Sequence, residues 1–213
     1  MWTRSAACAG ILGGANRANQ LNRARKLFER YEPRDLFYRV ARDLLERTLA
    51  GQSDFTLTEA VAVVLLTWNR RFYIGKETPD FDAQHIKDID GLLGRYGDAL
   101  AGYRARSIES LREDEQATIE SMFDDFDRIL GPVGAAKALH VLAPRFFAIW
   151  DRSVAQAASL YLKKRGRNAT LYWRWMLLTQ SVCQDVGGEA VWGPGLLKRI
   201  DEFNYCRYTL GVM

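Results

Sequence analysis

Three cysteines in 213 residues, Cys8, Cys183 and Cys206, are too few and too widely spaced to organise a fold. No CxxC pair is present, which excludes a zinc ribbon, an iron–sulfur cluster and a disulfide framework. The two histidines, His85 and His140, form no HExxH helix, and the zinc-deaminase signature is missing as well. No metal and no organic cofactor is therefore expected. Long apolar runs are also absent. The longest, Ala60 to Leu66, falls far short of the roughly twenty residues that cross a bilayer. The opening stretch, MWTRSAACAGILGG, carries one arginine and lacks the sustained apolar core of a secretory signal. The expected setting is a reducing cytoplasm, in association with the nucleoid, with no membrane partner.

What is present is an ordinary globular composition, 48% hydrophobic and 26% charged, enough for one substantial core or two small ones sharing a cleft. The net charge of +4 permits a nucleic-acid partner without requiring one. The apolar period is helical almost throughout. Leu36, Phe37, Val40, Leu44 and Leu45 share one predicted face, and Leu57, Val61, Val64, Leu65, Trp68 and Phe72 another. A third stripe, Ile119, Met122, Phe123, Phe126, Ile129 and Leu130, stops at Gly131, where a helix end is expected. Residues between Asp54 and Thr58 offer a cap before Glu59, and Asp151 is placed to cap a helix running through Val154, Ala157, Ala158 and Tyr161. Breaks are expected at 75–82, 166–169 and 187–195. The reading is a single all-α unit of about eight to ten helices, compact and two-lobed, monomeric, with a loosely held stretch over the first twenty residues.

The stretch GPVGAAKALHVLAPRFFAIWDRSV, Gly131 to Val154, carries the chemistry. A Gly-Pro-Val-Gly turn leaves backbone N–H groups bare, and the helix after it adds its positive end, a setting that suits a phosphate. The same turn would also serve as an ordinary corner between packed helices. Lys137 follows one helical turn later among Ala135, Ala136, Ala138 and Leu139. If it is buried there, it loses part of its preference for charge and becomes a candidate amine nucleophile. Asp151, directly after the apolar run ending in Trp150, should emerge at the edge of the core as a carboxylate oriented by its own cap.

From Met122 to Tyr161 the chain resembles the helix-hairpin-helix DNA glycosylases, nearest to the 8-oxoguanine branch. Members carry a Pro-Gly-Val-Gly-like hairpin, a lysine beyond it and then an aspartate. This chain reads Gly-Pro-Val-Gly and places Asp151 fourteen positions after Lys137. The resemblance implies a helix-hairpin-helix element within about 115–162 and a double-stranded DNA partner containing a damaged or modified base. It assigns Lys137 as the Schiff-base amine and Asp151 as the catalytic carboxylate. Gly131, Val133, Gly134 and Ala135 would contact DNA, as would Arg152 and Ser153. Asn69 with Arg70 or Arg71 would fill the space left by the flipped base, and Trp150 would line the base pocket; His140 reads as a base-pocket residue or, in preference, as a histidine in the core or behind the pocket wall. The identity of the base stays open among oxidised, alkylated, deaminated and hypermodified forms. A non-catalytic nucleic-acid-binding module and a helical interaction protein are the competing classes.

Basic residues gather at Arg23 to Lys26, at Arg70 and Arg71, and at Lys163, Lys164, Arg165, Arg167 and Arg174. The last set is expected at the end of the helix that Asp151 starts, beside Tyr172, Trp173 and Trp175, where it suits a nucleic-acid backbone and unstacked bases; a lysine-rich helix end followed by a buried aromatic helix is the equal alternative. Asp124, Asp125 and Asp127 read as the solvated face of an amphipathic helix.

Overall fold

The computed structural model describes residues 17–76 and 78–213, and among these the chain is all helical, with ten α-helices and no strand. Helix α1 (Arg17–Tyr31) buries Leu21, Ala24 and Phe28 at helical spacing. It packs against α10 (Leu196–Asn204) near the other end of the chain. Arg17–Gln20 therefore belong to a helix rather than to the loose stretch expected there; the rest of that stretch lies outside the described residues.

Helix α2 (Asp35–Leu49) pairs with α3 (Leu57–Trp68). The α3 N-terminus is a reciprocal capping box, in which Thr56 Oγ1 accepts from the Glu59 amide and Glu59 accepts from the Thr56 amide. The α3 stripe packs inward as the periodicity predicts. The α2 stripe does so only in part: Leu45 is buried and Leu44 packs against the core, whereas Leu36 and Val40 are 50% and 55% exposed and Tyr38 and Ala41 are buried in their place. Over the first half of α2, counting apolar residues selects the wrong face because Tyr38 has a hydroxyl partner in the core, the fully buried His140. The phenol donates to Nε2 at 3.1 Å, and Nδ1–H donates to the Phe147 carbonyl at 2.8 Å. Burial holds this imidazole neutral, with its pKa pushed down to about 3.

After the short α4 (Arg70–Tyr73) comes α5 (Pro79–Arg104), entered through a Thr78 cap with proline in its first turn. The long α6 (Gln116–Leu142) is the centre of the molecule. Its first arm buries Ile119, Met122, Phe123, Phe126 and Leu130 between α5 and α8 (Ala169–Asp185). At Gly131 the backbone leaves the helix, with φ 71° and ψ 164°, and the second arm starts at once with Pro132. The expected hairpin is thus a one-residue break. One apolar cluster runs from Leu21 to Phe203, with a small satellite of Tyr38, Ala41, Val64 and Val141 under Trp68.

The segment Phe146–Trp150 crosses the core without helix and is held by hydrogen bonds from aromatic side chains. Tyr172 donates to the Ala148 carbonyl at 2.8 Å, Trp175 to the Ile149 carbonyl at 3.0 Å, and Trp150 itself to the Pro132 carbonyl at 2.9 Å. Phe123 stacks on Tyr172 at 4.0 Å, and Trp150 meets both edge-on. Tyr172, Trp173 and Trp175 are therefore core aromatics, the buried aromatic helix of the two expected alternatives rather than a stacking surface for unpaired bases. Asp151 caps α7 (Arg152–Ala157) by accepting from the Val154 amide at 2.7 Å. That helix ends before the expected stripe is complete, which leaves Tyr161 exposed in a loop. Lys163, Lys164, Arg165 and Arg167 therefore sit on the loop rather than on a helix end, while Arg174 lies within α8. The remaining helix, α9 (Gly188–Trp192), lies inside the break expected at 187–195. No described helix is long and apolar enough to cross a membrane.

A Cβ at Gly131 would make only ordinary contact with Phe72, so the constraint there is the backbone, in a region essentially reserved for glycine. Gly131→Ala is expected to destabilise the fold by about 1–3 kcal/mol. In urea titrations this appears as a lower midpoint with an unchanged slope.

Candidate active site

The Gly131 break opens one wall of a cleft of about 740 Å³. Leu130 to Gly134 and Lys137 form that wall, Trp68 to Phe72 another, Ile149 to Ser153 a third, and Asp35, Asp201, Tyr205 and Thr209 close the remaining side. Eleven of the thirteen residues expected at the site line it: Lys137, Asp151, Gly131, Val133, Gly134, Asn69, Arg70, Arg71, Arg152, Ser153 and Trp150. Ala135 does not, because its side chain is fully buried in the core. His140 does not either. It is locked between Tyr38 and Phe147, so it is no part of a base pocket.

The second arm approaches the end of α3 closely. A Cβ on Gly134 would lie 2.7 Å from the Asn69 side-chain nitrogen, so only glycine leaves room for that amide. Asn69 is itself buried at the C-terminus of α3. This packing places Lys137 beside Trp68, where Nζ donates to the Trp68 carbonyl at 2.5 Å and sits 4.8 Å from the indole centre. A helix-terminal carbonyl and a ring face stabilise an ammonium only in part. Burial pushes the Lys137 pKa down to about 8, against the opposing pull of Asp201 and then Asp151.

A second lysine shows why Lys137 is distinct. Lys198, on α10, is nearly enclosed too, but Asp35, Asp201 and Glu202 approach its Nζ at 3.3, 3.5 and 3.6 Å. Burial alone would lower its pKa. Asp201, Glu202 and Asp35 reverse that, and the net direction is up. Lys137 makes no ion pair within 4.0 Å among the described residues. Of these two amines, it is the one poised to release its proton near neutral pH.

Asp151 has both oxygens engaged. Oδ1 accepts from the Val154 amide, and Oδ2 accepts from the Thr209 hydroxyl at 2.7 Å. Thr209 is delivered by a π-helical turn, Tyr205–Thr209, that closes on the Leu210 amide to Tyr205 carbonyl bond. Tyr205 in turn donates to Glu32 at 2.7 Å. Asp201, Thr209, Tyr205, Arg34, Glu32 and Asp35 are polar and charged site members the sequence did not reveal. In LLKRIDEFN, Lys198 with Asp201 and Glu202 reads as an ordinary solvent-facing i,i+3 and i,i+4 pairing, and nothing local marks it as a cleft wall.

The rim is cationic. Arg70, Arg71 and Arg152 are exposed at the mouth, and none pairs with a carboxylate among the described residues. No group of three or more His, Cys, Asp or Glu among the described residues is arranged to hold a metal ion. The arrangement can present a neutral amine and an oriented carboxylate to a polyanionic substrate at the mouth of a cleft.

Asp201→Asn removes a negative charge that favours the Lys137 ammonium. The expected outcome is a lower Lys137 pKa, below about 8. Peptide-resolved acetylation across a pH series would read this as an earlier rise in Lys137 labelling. An unmoved midpoint would show that Asp201 and Lys137 are not coupled.

No family model, no curated protein and no solved structure matches this chain, so its functional reading rests on the chemistry of the cleft.

Proposed function

We propose that the protein is a DNA glycosylase with lyase activity, acting on a damaged or modified base in a nucleotide flipped out of the duplex. The observation that carries this reading is Lys137: a largely buried amine with no carboxylate within 4.0 Å among the described residues, its pKa lowered to about 8, in a cleft shared with Asp151. A cleft of about 740 Å³ is large enough for an extruded nucleotide. The unpaired arginines at its mouth suit the flanking phosphates.

In this reading the neutral Lys137 amine attacks the sugar C1′ as the N-glycosidic bond breaks and the base departs with its electron pair. One amine proton passes to the departed base and the other to the ring oxygen O4′ as the C1′–O4′ bond opens, which leaves an imine between Nζ and C1′ and permits cleavage of the strand. Asp151, fixed by Val154 and Thr209, stabilises the positive charge that develops on the sugar. The resemblance of Met122 to Tyr161 to the helix-hairpin-helix glycosylases supports the same assignment, although the hairpin itself is reduced here to the break at Gly131.

Borohydride trapping on duplexes that each carry one lesion or modified base tests the proposal. A covalent adduct on one of them, lost in Lys137→Ala, is expected. Trapping should rise with pH and reach half its maximum near pH 8, because the reactive form of the amine is the deprotonated one. Asp151→Asn keeps a capping side chain while removing the charge, so a fall of about a hundredfold with a normal melting temperature is expected. Base release without trapping would leave a glycosylase resting on Asp151 alone. Tight DNA binding with neither signal would favour the non-catalytic binding module, and no binding at all would overturn the nucleic-acid reading.

A further inference from the structure

The basic loop beside the cleft is built in a way that its sequence does not disclose. Asp127, expected on a solvated face, is fully buried. Its Oδ2 accepts from the Gly166 amide at 3.0 Å and from the Asn168 side chain at 2.8 Å. Asn168, also fully buried, accepts from the Lys163 amide at 2.6 Å and donates to the Lys164 carbonyl at 3.0 Å. Gly166 turns the chain with φ 69°, and a Cβ there would meet Arg128 at 2.9 Å. A buried carboxylate and a buried amide thus hold residues 163–168 in one shape. Keeping Asp127 in the core is costly, since burial raises its pKa against the stabilising bonds from Asn168 and Gly166.

What this clamp presents is four exposed cations, Lys163, Lys164, Arg165 and Arg167, none with an ion-pair partner among the described residues. Their placement is specific. Leu162 lines the cleft, and the Arg165 guanidinium lies 5.9 Å from the ring centre of Phe72, another cleft residue. Lys76 sits over that ring at 3.4 Å, and the Arg165 stem reaches within 3.9 Å of where a Gly131 side chain would begin. The loop therefore extends the cationic rim of Arg70, Arg71 and Arg152 past the Gly131 break. Neighbouring aspartates do not cancel it: Asp124 pairs with Arg128, and Asp125 binds Arg95 and Tyr96.

We propose that the 163–168 loop, clamped from beneath by Asp127 and Asn168, is a preformed contact surface for the phosphate backbone of duplex DNA flanking the cleft. It shares with the excision reading only the identity of the partner and makes no use of Lys137 chemistry. A rigid loop loses little entropy when its cations meet phosphates, which is the advantage that offsets a buried charge.

The test is fluorescence anisotropy on an undamaged 20-base-pair duplex over a salt series, with wild type, the quadruple variant Lys163→Ala/Lys164→Ala/Arg165→Ala/Arg167→Ala, and Asn168→Ala. Each cation–phosphate pairing removed should flatten the logarithmic salt slope by about 0.9. The quadruple variant, which leaves the clamp intact, should therefore bind about tenfold more weakly or worse, with a slope flatter by roughly 2 to 4. Asn168→Ala keeps all four cations but frees the loop, and it should weaken binding with a smaller change in slope. Unchanged affinity and slope in the quadruple variant would overturn the proposal, as would the same loss appearing on duplex RNA but not on DNA. Borohydride trapping at saturating DNA separates the two ideas. A quadruple variant that still traps, with weakened binding, supports the loop and the excision reading together. Altered binding with no trapping in wild type supports the loop alone, and trapping with unaltered binding supports the excision reading alone.

Discussion

The arrangement of the cleft depends on one backbone break. If α6 continued through residue 131 as a regular helix, Val133, Gly134 and Lys137 would follow the direction of the first arm. The glycine conformation at Gly131 lets the second arm restart with Pro132 and press Gly134 against Asn69. The Pro132 carbonyl, in the first turn after the break, receives the Trp150 indole N–H. That bond anchors the residue immediately before Asp151. A single φ/ψ choice therefore sets the position of the amine, its neighbouring carbonyl and the approach of the carboxylate, and it does so at a residue whose freedom no other side chain shares.

Charge is distributed around this frame by pairing rather than by number. Lys198 and Lys137 are both largely removed from water, and burial pushes both toward the neutral amine. Three carboxylates hold Lys198 in the charged form, while Lys137 is left with a carbonyl and an indole face. The same logic separates the arginines. Arg25, Arg106 and Arg145 are matched to Glu202, Glu115 and Glu189 and serve the fold. Arg70, Arg71 and Arg152 remain unmatched among the described residues and stand at the cleft mouth, where an external anion can complete them.

Two buried polar groups illustrate how a core can take in residues that composition assigns to the surface. Asp127 sits on the first arm of α6 among charged neighbours, yet it turns inward because Gly166 and Asn168 supply donors there. His140 turns inward for the same reason, between Tyr38 and Phe147, and its partner Tyr38 decides which side of α2 is buried. In each case a hydrogen-bond partner from a distant part of the chain overrides the local pattern, since an unpaired buried polar group costs more than an exposed leucine or valine.

Local order was legible because it is written in nearest-neighbour chemistry. The helical period, the Thr56–Glu59 capping box, the Asp151 cap and the helix end at Gly131 all depend on residues within a turn or two of one another. Lys137 and Asp151 could be picked out for the same reason, one by its glycine-flanked helix start and the other by the apolar run before it. Which face of α2 is buried, that Asp127 clamps a loop, and that Asp201 and Thr209 complete the cleft were decided by the tertiary structure alone. Those residues gain their roles from partners tens to more than a hundred positions away, such as Thr209 on Asp151 and Tyr38 on His140. Sequence patterns carry spacing along a helix; they do not carry the desolvation and pairing that arise only when separate helices meet.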